Sequence, residues 1–167
     1  MPKNPPATHP RIDGDEFVPA LLAMVNNKIA SASSDLYLRL FGVGLNEWRI
    51  LSVLSNTPHS TTAHICETVA MHKAVASRSL RQMEAKGLVV VERSEDQQRV
   101  MALTPAGQAM HDEIAAIALE RERRLMQGFT PKEQAQLREY LRRMRAELDA
   151  VNAWQPAADE PSRPEGG

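Results

Sequence analysis

The sequence predicts a mainly α-helical fold with a small two-stranded β wing. Three observations carry that prediction. Apolar residues recur at helical spacing through most of the chain. Two short strand-like runs, residues 88–92 and 99–103, interrupt this pattern, and the stretch between them, Arg93-Ser94-Glu95-Asp96-Gln97-Gln98, is polar throughout, which reads as a hairpin with a solvated tip. Immediately before the hairpin, residues 61–86 read as a short helix, a turn and a second helix. Together these segments form a winged helix-turn-helix, flanked by further helices at both ends.

The totals are those of an ordinary soluble chain. It has 167 residues, about one domain's worth, with 43% apolar and 25% charged residues. Aromatic residues are only 4%, so Leu, Val, Ile, Met and Ala must fill the core. The formal net charge is −1, so any affinity for a polyanion has to come from local clusters of Lys and Arg. A single cysteine, Cys66, excludes an internal disulfide framework and fits a reducing compartment. No apolar run has the length that spans a bilayer, and the Pro-rich start is unlike a signal peptide, so a cytoplasmic location is expected.

In chain order, residues 1–15 carry Pro2, Pro5, Pro6 and Pro10 with little that can pack, and read as a flexible arm. Pro19 suits a first helical turn, and Leu21, Val25, Ile29, Ala32, Leu36 and Leu40 then recur at helical spacing. This long helix, within residues 16–44, is expected to stop at Gly42 and Gly44. Asn46 is the expected cap of the next helix, which Trp48, Ile50, Leu51, Val53 and Leu54 bury and Pro58 ends. Thr61 caps a short third helix with Ile65, Cys66 and Val69 inward, and Ala70 and Met71 form the turn. The fourth helix, about 72–86, turns Val75, Leu80 and Met83 inward and stops at Gly87.

After the hairpin, Thr104-Pro105 starts a helix with Met110, Ile114, Ile117 and Leu125 on one stripe. Thr130-Pro131-Lys132-Glu133 is a capping box with Pro at the first helical position, and Leu137, Tyr140, Leu141, Met144, Leu148 and Val151 continue the helix that follows. Residues 155–167, with Pro156, Pro161 and Pro164, read as a disordered tail. The resulting division is a winged helix-turn-helix lobe at 45–104 between helices at 16–44 and 105–154. The apolar stripes of those helices flank a complete small domain, and burial against a second chain is the simplest way to cover them.

The fourth helix supplies the chemistry. It presents His72, Lys73, Ser77, Arg78 and Arg81, with no acid between Met71 and Met83. Lys73, Ser77 and Arg81 share one side, overlapped by Ala74 and Arg78. Arg can bond guanine bidentately, Ser and His can bond bases or phosphates, and Ala can meet a thymine methyl. A solvated helix face would show some of the same residues; the hairpin that follows favours the DNA-reading interpretation. At the hairpin tip, Arg93 and Arg99 are both candidates to enter a minor groove. Asp96 either orients Arg99 or is an ordinary turn residue.

Several segments resemble the MarR family of transcriptional regulators: Gly44-Leu45-Asn46-Glu47-Trp48-Arg49-Ile50-Leu51, His72-Lys73-Ala74-Val75-Ala76-Ser77-Arg78-Ser79-Leu80, Glu84-Ala85-Lys86-Gly87-Leu88-Val89 and Leu103-Thr104-Pro105-Ala106-Gly107. Their order and spacing are more specific than any one of them, and the resemblance runs over about residues 17–151. It implies a homodimer paired through its terminal helices, a pseudo-palindromic double-stranded DNA operator, and repression relieved by a small aromatic or phenolic effector. It also implies that the helix from His72 enters the major groove and that Arg99 is the wing-tip arginine. The wing departs from the family pattern, because Asp96-Gln97-Gln98-Arg99 places Arg one position late, which keeps Arg93 in contention. Residues expected to line the effector pocket are Asn26, Tyr37, Trp48 and Arg49.

Other chemistries fit less well. His59, His64 and Cys66 make a poor metal set, since positions two apart on a helix face different ways, and no metal or other cofactor is expected. No nucleophile–base spacing or phosphate loop suggests an enzyme. The rivals to a specific DNA reader are a dimeric protein-interaction module on the same fold and a non-specific architectural DNA binder, for which the overall charge is too low.

Overall fold

The computed structural model describes residues 11–156, so most of the expected arm at 1–15 and tail at 155–167 lies outside the described residues. Among the described residues nine elements follow in order: α1 (Val18–Phe41), α2 (Leu45–Asn56), α3 (Thr62–Thr68), α4 (Lys73–Ala85), β1 (Val89–Arg93), β2 (Arg99–Leu103), α5 (Pro105–Leu125), α6 (Pro131–Ala146) and α7 (Leu148–Ala153). The mainly helical fold with a two-stranded wing is the one expected. The chain forms two compact units, with the boundary after Ala118, inside α5.

The first unit is built on a core of Val43, Ile50, Leu51, Leu54, Ile65, Met83 and Ile114, all essentially without solvent contact. At ~25 cal/mol per Å2 of apolar surface removed from water, such side chains are the main source of stability. The wing strands are antiparallel, with Val89 opposite Leu103 and Arg93 opposite Arg99. Ser60 adds a bridge on the other edge of β2, its carbonyl accepting from the Met101 amide at 2.9 Å. Gly107, at the start of α5, passes so close to the chain that a Cβ there would lie 1.9 Å from the Leu88 carbonyl oxygen. Thr104 fixes this corner, donating to the Gly87 carbonyl at 2.6 Å and accepting from the Gly107 amide at 3.0 Å.

Several details differ from expectation. Of the two glycines after α1, only Gly42 is left-handed (φ 64°); Gly44 is extended and itself caps α2, so Asn46 falls inside the first turn. The Glu47 carboxylate lies 2.8 Å from where a Gly44 Cβ would be, close enough that this side chain would have to shift. Val75 is exposed, and α4 instead buries Ala76, Ser79, Leu80 and Met83. Small side chains let α4 approach its neighbours, and the buried Ser79 hydroxyl is satisfied by donating to Glu47 Oε1 at 2.7 Å. On α1, Ser33 and Tyr37 are buried while Leu21, Leu22, Val25, Ile29, Leu38 and Leu40 are exposed.

In the second unit the capping box forms as read: Thr130 Oγ1 accepts from the Glu133 amide at 3.3 Å and Glu133 Oε2 accepts from the Thr130 amide at 2.7 Å. Gln134 secures the preceding connection by donating to the carbonyls of Met126 and Phe129. The helix breaks at Glu147, whose amide bonds three residues back to Met144, and α7 restarts beyond it, so the expected continuous helix is two. Glu139 pairs with Arg142 at 3.4 Å.

Candidate nucleic-acid interface

Two elements and one turn position the candidate side chains. Thr61 caps α3 as expected, accepting from the His64 amide at 3.2 Å. Ala70 closes the turn to α4 with φ 50°, a left-handed conformation that alanine adopts at some strain. His72 is then the N-cap residue of α4, without a side-chain cap bond. The buried arc of α4 faces the core, which leaves Lys73, Ala74, Arg78 and Arg81 exposed and Ser77 half-buried.

The fold brings separate parts of the predicted set together. Ser77, Arg81 and Glu84 of α4, Thr62 at the start of α3, and Val91, Arg99 and Met101 of the wing line one cleft of about 360 Å3. Lys73 and Arg99 share a second, of about 440 Å3, with Thr61, Ala63, Cys66 and Gln98. Arg99 thus stands between the two hollows, eighteen to twenty-six residues along the chain from its basic companions Arg81 and Lys73. Arg78 lines neither. Glu84 puts a carboxylate at the end of the first cleft, beyond the acid-free stretch.

The wing tip holds itself. The Ser94 amide donates to the Gln98 carbonyl, the Gln97 amide to the Ser94 carbonyl, and Gln97 takes φ 61°. Arg93 Nη1 donates to the Gln97 carbonyl at 3.0 Å, which draws this guanidinium back over the turn. Among the described residues Asp96 makes no ion pair or hydrogen bond with Arg99, and Ser94 and Arg93 brace the turn in its place. One pair back from the tip, His59 Nδ1 meets Glu92 Oε2 at 2.9 Å on the surface.

Of the four residues expected around an effector, Tyr37, Trp48 and Arg49 stay neighbours and Asn26 stands apart. Tyr37 and Trp48 are packed edge to face, with ring centroids 5.9 Å apart, and Tyr37 is buried, so it belongs to the core and not to an open pocket wall. Trp48 and Arg49 line a shallow depression of about 270 Å3 with Ser52, Asn56 and Thr68. Asn26 is exposed eleven positions before Tyr37, roughly 16 Å away along α1 at 1.5 Å per residue, and does not join them.

The sequence reading missed His111. Its ring stacks on Trp48 at 5.4 Å, and its Nδ1 lies 2.8 Å from Asp112 Oδ1. Gln108 Nε2 donates to Asp112 and to Ser55 of α2. The His111 and Gln108 contacts hold the Asp112 carboxyl below its ordinary range. No local spacing announces this contact, because Trp48 lies sixty-three residues earlier. Among the described residues, no three His, Cys, Asp or Glu side chains are grouped so as to hold a metal ion, and no helix is long and apolar enough to cross a membrane.

A profile of the MarR family matches residues 41–100. A MarR/EmrR family transcriptional regulator from Acinetobacter sp. ADP1 is 31% identical, with a TM-score of 0.78 over 83% of this chain and 99% of that one. A MarR family regulator from Silicibacter pomeroyi, 24% identical, has a TM-score of 0.75 over 81% of this chain and 92% of its own. The S. aureus MepR–DNA complex, 19% identical, has a TM-score of 0.71 over 81% of this chain and 99% of that protein chain; these last two share the fold. No curated protein matches the sequence significantly. The chain belongs to the MarR family. It is a transcriptional regulator with a winged-helix, DNA-binding fold, and not an enzyme.

Proposed function

We propose that the protein is a homodimeric, sequence-specific repressor that binds a pseudo-palindromic operator through α4 and the wing. The observation that carries this reading is the convergence of Ser77, Arg81 and Arg99 on one cleft beside an α4 surface whose first ten residues hold no acid. In this reading α4 enters the major groove, with Arg78 and Arg81 reaching base edges or phosphates, and His72, Lys73, Ala74 and Ser77 contacting the flanks. Arg99 extends into the adjacent minor groove; Arg93, already engaged by Gln97, supports the tip. The DNA complex of the MepR relative is consistent with such use of the fold.

Dimerisation follows from what the helices leave uncovered. In the first unit, α1 exposes Leu21, Leu22, Val25 and Ile29; in the second, Phe129, Tyr140, Leu141, Met144, Leu148 and Val151 are exposed. Apolar surface of that extent is normally an interface, and a second copy of the chain covers it here. Release of the operator follows binding of a small aromatic or phenolic, anionic effector at the depression that Trp48 and Arg49 line together. The effector shifts the population between states of different DNA affinity.

Titration of Arg78→Ala and Arg81→Ala against a duplex selected by the wild-type protein tests the assignment. Each loses about five- to 150-fold in specific affinity, the equivalent of ~1–3 kcal/mol for a bidentate contact, while sedimentation still gives a dimer. Unchanged affinity in both variants would sink the role given to α4.

A further inference from the structure

Two hydrogen bonds tie α4 to the corner between α1 and α2. The Ser79 hydroxyl donates to Glu47 Oε1 in the first turn of α2 at 2.7 Å. Lys86, the residue closing α4, donates through Nζ to the Gly42 carbonyl at 2.6 Å, forty-four residues away. That carbonyl ends α1, where the chain turns left-handed and the last carbonyls have no partner inside the helix. A lysine there satisfies one of them and suits the negative end of the helix dipole.

Ser79 and Lys86 are seven positions apart and so lie on one side of α4. Arg81, two positions from Ser79, projects about 160° round the helix at 100° per residue. The tied side of α4 is therefore nearly opposite the side that lines the cleft with Arg99. One bond fixes a point on α4, and two bonds seven residues apart fix its rotation and tilt as well. The anchor of the second bond is the end of α1, the helix that leaves Leu21, Leu22, Val25 and Ile29 exposed.

We propose that Lys86 and Ser79 are positioning residues, forming a two-point latch that sets the angle of α4 from the end of α1 and so transmits the state of α1 to the DNA-reading side chains. The proposal rests on the reading of α4 given above. It treats Lys86 differently from Lys73, Arg78 and Arg81: its ammonium acts on a backbone carbonyl and not on a phosphate.

The test compares Lys86→Met, Lys86→Arg and Ser79→Ala with the wild type, titrating a selected duplex and a scrambled duplex at several salt concentrations. Lys86→Met is expected to lower affinity for the selected duplex about five- to tenfold, with the scrambled duplex and the salt slope unchanged, and Lys86→Arg to restore most of the loss. A salt slope smaller by about 1 in Lys86→Met would make Lys86 a phosphate contact and overturn the latch. Equal losses on both duplexes would also overturn it, because a general loss of fold affects them alike. If the wild type selects no duplex, the DNA-reading assignment fails, and hydrogen exchange of the free protein decides the latch alone. Faster exchange of α4 amides in Lys86→Met and Ser79→Ala, with α6 unchanged, upholds it; unchanged α4 exchange rejects it.

Discussion

Arg93 and Arg99 face each other across the last pair of the wing, yet their surroundings differ. Arg93 is held by the Gln97 carbonyl, whereas Arg99 borders both basic clefts. Replacement of Arg99 by Ala is therefore expected to reduce the salt slope of operator binding by about 1 and Arg93→Ala to reduce it less. The reverse order would make Arg93 the wing-tip residue. Gly107 sets a second prediction at the same scale. A methyl group there would overlap the Leu88 backbone, which has no flexible end to give way. Gly107→Ala should destabilise the protein by at least the ~1–3 kcal/mol typical of overpacking, read as a lowered urea midpoint. An unchanged midpoint would show that the corner between β2 and α5 opens without penalty.

Caps set within one turn were mostly legible in advance, the Asn46 cap of α2 excepted, and features set by distant contacts were not. The Thr130 capping box, the Thr61 cap and the Gly42 stop each depend on residues within one turn, and each forms as read. Ser79 in place of Val75 on the buried face of α4 depends on Glu47, thirty-two residues earlier. Tyr37 enters the core because Trp48 packs against it, and the break at Glu147 carries neither Gly nor Pro. Among the candidate contacts, the acid-free face of α4 was visible in the sequence; the placement of Arg99 against it required the hairpin to fold back. The cap on α6 leads to a stability prediction: Thr130→Ala should cost about 0.5–2 kcal/mol, measured by urea unfolding, and no loss would mean that α6 is held by its packing alone. A pH prediction follows from α5. Hydrogen bonds from Arg123 and then Arg124 lower the Glu120 pKa from 4.5 to about 2. A depressed carboxylate stabilises the folded state above its unfolded pKa, so this contribution is complete above about 4.5 and disappears as pH falls through about 2. Glu120→Gln should flatten that part of the acid unfolding curve; an identical curve would remove the pair from the account.

At the scale of the whole molecule, a formal charge of −1 leaves little long-range attraction for DNA, so the proposed function assigns binding to the local geometry of α4 and the wing, doubled by a second chain. Sedimentation should give twice the 18.6 kDa chain mass, and charge placed on the exposed face of α1, as in Leu22→Asp with Val25→Asp, should yield monomers that bind the operator far more weakly. A variant that stays dimeric would move the interface away from α1. Whether two copies read DNA as a unit is decided by selecting bound sequences from a pool of random duplexes. An enriched inverted repeat is expected, its half-sites about one helical turn apart, roughly 34 Å, or a small multiple of it. Failure to enrich any sequence at low salt would contradict that expectation, leaving a protein that keeps the fold of a regulator without reading DNA.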